Sequence, residues 1–280
     1  MVVTIIGLGL IGGSLAKDLK SNGFATTLLG VEAQKVHAQQ ALELQLVEEI
    51  VELREGCRMA DVVVIATPVN ALIHLFPQVL DCLRPGGIAI DMGSTKAEIA
   101  EIIRTHPKRR RAVLAHPMAG TEFSGPTAAI NNLFQHKAAI LCDKDDSDGD
   151  ALALAERLFK SLFMRITYMD AESHDMHAAY VSHVSHISSF VLALTVLEKE
   201  KSEANIFDLA SGGFASTVRL AKSSPRMWAD IYQQNATNLI DVLDEYLSKM
   251  QQFRDLIQGA AYEEVYQLME EANKIKKILN

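Results

Sequence analysis

Up to about residue 170, short apolar runs alternate with amphipathic segments; beyond it the hydrophobic period stays helical to the end of the chain. The runs at 2–6, 26–31, 61–66, 88–91, 111–115, 138–142 and 164–168 predict strands, and the segments 14–20, 33–44, 70–83 and 97–104 predict helices between them. Apolar runs without strict polar alternation, joined through helices, predict an α/β fold with a Rossmann-type doubly wound parallel sheet. Such sheets bind ligands outside the carboxyl ends of their strands, so chemistry is expected at that edge.

The segments 171–199, 206–209, 216–221, 225–250 and 260–279 predict an all-α half, broken at Gly212-Gly213 and at Ser223-Ser224-Pro225. The predicted division is a dinucleotide-binding domain at 1–169 and a helical substrate and dimerisation domain at 170–280. Within the latter, 187–197 is apolar on nearly every face, which demands burial between helices and predicts a homodimer interface. That tract is short for a bilayer and holds two serines and a threonine, so membrane insertion is not expected; the apolar N-terminus lacks a basic n-region and its glycines fall at nucleotide-loop spacing, so export is not expected either.

Directly after the first strand stands Gly7-Leu8-Gly9-Leu10-Ile11-Gly12-Gly13-Ser14, opening a helix. Gly7 permits the tight turn, Gly9 lets the backbone approach a pyrophosphate, and Gly12 lets helix and strand pack closely, while the helix start offers N–H groups to phosphate. Glu32 follows the second strand where a ribose-binding acid is expected, about twenty residues on. Its carboxylate would accept both ribose hydroxyls and repel a 2′-phosphate, favouring NAD over NADP, although Lys35 stands close enough to hold a phosphate. Gly7, Gly9, Leu10, Ile11, Gly12 and Glu32, with the turn Thr67-Pro68 after the third predicted strand, form the expected cofactor-binding set.

A formal charge of −8 argues against a nucleic-acid protein despite Lys108-Arg109-Arg110-Arg111, read as a solvated exit beside a strand. Cys57, Cys82 and Cys142 have no paired spacing, which disfavours a zinc site and a disulfide framework and predicts a reducing, cytoplasmic setting. The acidic stretch 143–150 reads as a mobile loop.

Candidate chemistry concentrates in His116-Pro-Met-Ala-Gly-Thr-Glu-Phe-Ser-Gly125, a glycine-bearing loop that carries an imidazole and the carboxylate of Glu122. Ser94 and Lys96 follow another strand, and Ser94 either caps the next helix or touches a ligand. His183 and His186 share a helix face; with no carboxylate beside them, a polar cluster or substrate contact is favoured over a metal site. Arg219, alone among apolar neighbours after a glycine break, either pairs with an internal acid or clamps an anion. Trp228, the single tryptophan, could wall a pocket.

Gly-Leu-Gly-Leu-Ile-Gly-Gly-Ser, Ala-Thr-Pro-Val at 66–69, Asp-Met-Gly-Ser-Thr-Lys at 91–96, the 116–125 stretch, Ser-His-Val-Ser-His at 182–186 and Gly-Gly-Phe with the following Arg and Trp occur in one order. Together they resemble the prephenate and arogenate dehydrogenases of tyrosine biosynthesis, over nearly the whole chain. The resemblance implies oxidative decarboxylation of prephenate to 4-hydroxyphenylpyruvate, or of arogenate to tyrosine, with NAD. It implies His116 as the base, Ser94 orienting it or the ring hydroxyl, and Arg219 on a substrate carboxylate. It further implies His183, His186 and Trp228 lining the pocket, Glu122 at its mouth and no metal. Family members often carry an acid shortly before the arginine, where Ser216 stands here, so an ion pair at that point does not carry over. A 3-hydroxyacid dehydrogenase would need a helical-domain lysine, for which only Lys222 offers itself, and a non-catalytic NAD-binding protein would have no use for His116, Ser94 and Arg219.

Overall fold

In the computed structural model, residues 1–203 and 206–278 are described. They fall into two compact units, Met1–Asn235 and Ala236–Asn280.

The first unit is built on one sheet of β1 (Val2–Ile6), β2 (Thr27–Val31), β3 (Glu49–Ile50), β4 (Val62–Ile65), β5 (Ile88–Asp91), β6 (Ala112–Pro117), β7 (Ala138–Cys142) and β8 (Arg165–Met169), in the order β3-β2-β1-β4-β5-β6-β7-β8. Neighbours are parallel except β6 and β7, which are antiparallel. The chain reverses its direction of travel across the sheet between β1 and β4, leaving the crevice of a doubly wound fold there. Helices α1 (Leu10–Ser21), α2 (Lys35–Glu43), α3 (Leu53–Met59), α4 (Val69–Cys82), α5 (Ala97–Ile103) and α6 (Gly149–Ser161) accompany the strands.

Period-two alternation sorts the core. Val3, Ile5, Val62, Val64, Val113 and Ala115 pack with Leu15, Leu19, Leu158 and Phe159 on one face. Ile6, Val63, Ile65, Ala112 and Leu114 pack with Phe76, Leu80, Ile99 and Ile103 on the other. His116 follows Ala112 and Leu114 on β6, so alternation sends its ring to the α4 and α5 face. The apolar run predicts a strand ending at residue 115 with His116 in the loop after it; pairing of His116 with Ile140 and of Pro117 with Ala139 extends the strand through both residues.

Other differences have local causes. The two-residue β3 and the short α3 carry too few positions to show a period, and neither is predicted. The stretch expected to be mobile is pinned instead: Asp148 bonds Arg110 Nε and Asp150 bonds Arg111, each at 2.7 Å, while Asp146 lies 3.5 Å from the buried Arg109. The basic run is therefore the partner of an acidic one, rather than a solvated exit.

The helical part of this unit comprises α7 (Ala171–Ala178), a π-turn at Ala179–His183, α8 (Val184–Glu200), α9 (Gly212–Thr217) and α10 (Pro225–Gln234). The one long helix expected over 171–199 is thus broken by a wide turn, a feature concentrated at functional sites. The helix expected over 225–250 is also two helices, parted at Asn235, whose buried amide donates to the Asp175 carbonyl at 2.7 Å. Ser224 caps α10 by accepting the Met227 N–H, with Pro225 at its first position.

The second unit holds α11 (Ala236–Gln258) and α12 (Tyr262–Ala272), joined through Gly259 and the left-handed Ala260, and a closing turn at Asn273–Lys277. The predicted last helix reached Leu279, which lies outside the described residues.

Candidate active site

The glycine turn behaves as its spacing requires. Gly7 has φ +87°, and a Cβ there would stand 2.8 Å from the Ala66 carbonyl oxygen. A Cβ on Gly12 would come within 1.9 Å of the Gly7 oxygen, so α1 packs on the turn only with glycine. Gly9 is different: a Cβ there would meet nothing within 4 Å. Among the described residues no side chain caps α1, so the N–H groups of Leu10, Ile11 and Gly12 remain for phosphate oxygens at the helix start. Glu32 closes the cradle, its two carboxylate oxygens accepting the Leu8 and Gln34 N–H groups, each at 3.0 Å, with lone pairs left for ribose hydroxyls. Thr67, on the turn that enters α4 through Pro68, has a buried hydroxyl with no partner among the described residues. An open backbone approach, free helix N–H groups and a poised acid fit a dinucleotide.

Three strand positions along the same edge, His116 heads a buried polar row. Its Nδ1 lies 2.8 Å from His174 Nε2, and His174 Nδ1 lies 2.8 Å from Asp175 Oδ1. The Asp175 carboxylate also accepts the N–H groups of Lys96 at 2.7 Å and Ala97 at 2.8 Å, capping α5 from a distant part of the chain. Ser94 therefore does not cap α5; it is part-buried on the turn after β5 and forms no hydrogen bond among the described residues.

The row fixes protonation. An ionised Asp175 only accepts, so His174 Nδ1 carries hydrogen; neutral His174 then accepts at Nε2, and His116 donates from Nδ1. His116 Nε2 has no partner among the described residues. Burial, and after it the charges of His174, Lys96 and His183, hold the His116 imidazole well below the ordinary histidine range. A neutral imidazole with a free acceptor nitrogen is equipped to take a proton.

Behind this row Lys96 is fully buried, its Nζ donating to Asp91 and, at 2.9 Å, to the carbonyl of Ala115 immediately before His116. A helical wall faces it. His186 stacks on Trp228 with ring centroids 3.6 Å apart, and His183 meets the same indole edge-on at 5.8 Å. His186 donates through Nδ1 to the Ser182 carbonyl at 3.0 Å, while His183 Nδ1 accepts from Asn235 at 3.2 Å. The Trp228 Nε1–H and the Tyr232 hydroxyl are buried without partners among the described residues.

Burial depresses the His183 imidazole to about 4, so the unfolded chain, with a histidine near 6.5, binds a proton there that the native state refuses. This residue's contribution is fully present above pH 6.5 and is lost as pH falls towards about 4. Thermal melts of wild type and His183→Gln should show a shallower loss of Tm on acidification in the variant, and parallel curves would refute it.

Arg219 pairs with Glu122 at 3.2 Å, joining the loop after β6 to the turn after α9. Half of the guanidinium remains exposed, at 51%, whereas Glu122 is 20% exposed. Glu122's own backbone N–H and then Arg219 hold its carboxyl below the usual range. Arg219 thus pairs with an acid 97 residues away in sequence.

His183, His186 and Trp228 form one ring cluster and Arg219 pairs with Glu122, while His116 stands near enough to His183 to feel its charge. Sequence reasoning missed His174, Asp175 and Asn235. Adjacent His-Asp on a polar helix has no spacing signature; the usable signal is that α7 has no apolar stripe, so burial of its polar residues needs another explanation.

The family model of the prephenate dehydrogenase nucleotide-binding domain matches residues 15–168, and that of the prephenate dehydrogenase dimerization domain matches 170–271. The cyclohexadienyl dehydrogenase of Zymomonas mobilis is 30% identical over 99% of this chain and 95% of its own length, and the prephenate dehydrogenase of Bacillus subtilis is 29% identical over 96% and 74%. Among solved structures, prephenate dehydrogenase from A. aeolicus in complex with hydroxyphenyl propionate and NAD+ superposes with a TM-score of 0.91 at 27% identity, covering 100% of this chain and 98% of that one. Synechocystis arogenate dehydrogenase gives 0.79 at 27% identity, with both chains covered in full at 100%. With a Rossmann-type sheet, a nucleotide cradle and both family domains in order, the chain belongs to the prephenate dehydrogenase family of oxidoreductases.

Proposed function

We propose that the chain oxidises prephenate with NAD, releasing carbon dioxide and 4-hydroxyphenylpyruvate in tyrosine biosynthesis. The observation that carries this reading is the bare Nε2 of His116, held by His174 and Asp175 on the sheet edge that also bears the glycine cradle. The ends of β1 and β6 are three strand spacings apart, about 14 Å, within the reach of a dinucleotide laid along that edge. NAD bound there supplies the hydride acceptor. His116 accepts the ring hydroxyl's proton as the carbon bearing it is oxidised. Ser94, unbonded on its turn, orients that hydroxyl. Arg219 exchanges Glu122 for a substrate carboxylate, while His183, His186 and Trp228 wall the ring. Aromatisation drives loss of carbon dioxide.

Arogenate is the second reading, favoured by a carboxylate, Glu122, that could meet its ammonium. We place the functional division at 169/170, with a cytoplasmic homodimer formed through the helical half. Val191, Leu194 and Leu197 of α8 are exposed in one chain. Taken with α7, the run 171–200 is long and apolar enough for a bilayer. Its buried His174 and Asp175 bond β6 and α5, so a second protein copy suits its exposed face better than lipid.

NADH absorbance, followed with prephenate and arogenate side by side, tests the proposal. Faster turnover of prephenate is expected; faster turnover of arogenate would select the second reading, and no NADH from either would end both. Arg219→Ala should weaken substrate binding by about 1.5–3 kcal/mol with NAD affinity unchanged. An unaltered KM would reduce Arg219 to a structural partner of Glu122.

A further inference from the structure

We propose that the proton accepted by His116 does not remain there but moves along the hydrogen bond to His174, where Asp175 holds the resulting charge, making His174 and Asp175 positioning residues for the reaction. The proposal rests on His116 being the base.

The row has the geometry of a relay. His116 Nδ1 to His174 Nε2 and His174 Nδ1 to Asp175 Oδ1 are both 2.8 Å. His174 and Asp175 are each only 2% exposed, so no bulk water is at hand to solvate a cation on this row. The carboxylate must compensate it. A proton kept on His116 is a full ring away from Asp175 and is opposed by the ammonium of Lys96. The same positive charge on His174 lies against the carboxylate. The N-terminus of α5 also gives the Asp175 carboxylate the N–H groups of Lys96 and Ala97.

The step balances. The substrate O–H bond breaks and its proton bonds to His116 Nε2. The His116 Nδ1–H bond breaks and that proton bonds to His174 Nε2, while His174 keeps its Nδ1 proton on Asp175. His116 ends neutral, with its hydrogen on the opposite nitrogen, and His174 ends as an imidazolium beside Asp175.

Other charged or titratable groups facing the row are few. Lys96 and Asp91 neutralise one another from the start of α5 and the end of β5. His183 faces the row from the π-turn, kept neutral by its depression to about 4. The Cys142 thiol on β7 is pushed up by burial to about 12 and stays protonated. Asp175 is therefore the carboxylate of the cluster that has no lysine or arginine side chain against it among the described residues.

Two measurements test this on the full chain. With histidine nitrogens labelled, acidification without cofactor or substrate should give the doubly protonated NMR signature at His174 while His116 keeps a neutral one. Charging of His116 ahead of His174 would overturn the relay. In steady state, His174→Asn leaves Asp175 free to cap α5. It should lower kcat about ten- to a hundredfold with KM for substrate changed by less than about twofold, and reduce the solvent-isotope proton inventory from two protons to one. Asp175→Glu should recover more kcat than Asp175→Asn. Wild-type kcat and pH profile in His174→Asn would sink the relay alone, whereas wild-type turnover in His116→Asn would sink the base itself.

Discussion

His116→Asn is expected to lower turnover by about 10²- to 10⁴-fold, the usual size for losing a general base, while NAD affinity stays nearly as it was. Asparagine can still accept the approach of a hydroxyl but cannot retain its proton, so the loss falls on kcat rather than on binding. The cradle is spared because Gly9, the start of α1 and Glu32 take no part in the His116 row. The pH profile gives the same residue a second signature. Burial holds the imidazole below the ordinary 6.5, so it is neutral, and competent, throughout the neutral range. Its acid limb in kcat/KM should lie below pH 6.5 and should vanish from the residual activity of the variant. Single-turnover hydride transfer separates chemistry from product release; a wild-type rate in that experiment removes His116 from the mechanism.

The parts legible in the sequence are those where one physical requirement acts on neighbouring residues. Buried strands need apolar runs, and the runs at β1, β4, β5 and β7 supply them. A phosphate turn needs glycines at fixed spacing, and Gly7 and Gly12 meet that need through contacts as close as 2.8 and 1.9 Å for a Cβ. Where the requirement acts across the chain, the signal disappears. Asp175 caps a helix 78 residues earlier, and Asn235 leaves its own helix to bond Asp175 and His183. A helical period runs smoothly through Asn235, because the cost of the break is met by tertiary hydrogen bonds the sequence does not print. The same holds for Arg109 to Arg111. They read as solvated until strand order brings the turn before α6 beside them, with its aspartates.

Lys96→Met should destabilise the fold by about 3–5 kcal/mol, the cost of leaving one member of a buried ion pair alone. Lys96 and Asp91 are both 0% exposed, and without the ammonium the Asp91 carboxylate keeps, among the described residues, only the Gly93 N–H at 2.5 Å. Burial already raises the Asp91 carboxyl, and Lys96 is the largest influence opposing that rise. Removing it raises the carboxyl further. An acid whose folded-state value is raised loses stability as pH climbs through that value, so the variant should suffer more at neutral than at acid pH. Urea titrations at two pH values would read this difference, and an equal loss at both would show that Asp91 is not the source. Replacing both partners, as in Lys96→Met with Asp91→Leu, removes the stranded charge and should restore most of the stability. It should not restore the reaction in full, because the Lys96 ammonium also holds the Ala115 carbonyl, at 2.9 Å, in the peptide that precedes His116. Recovery of stability without recovery of kcat would separate the two duties of this buried lysine.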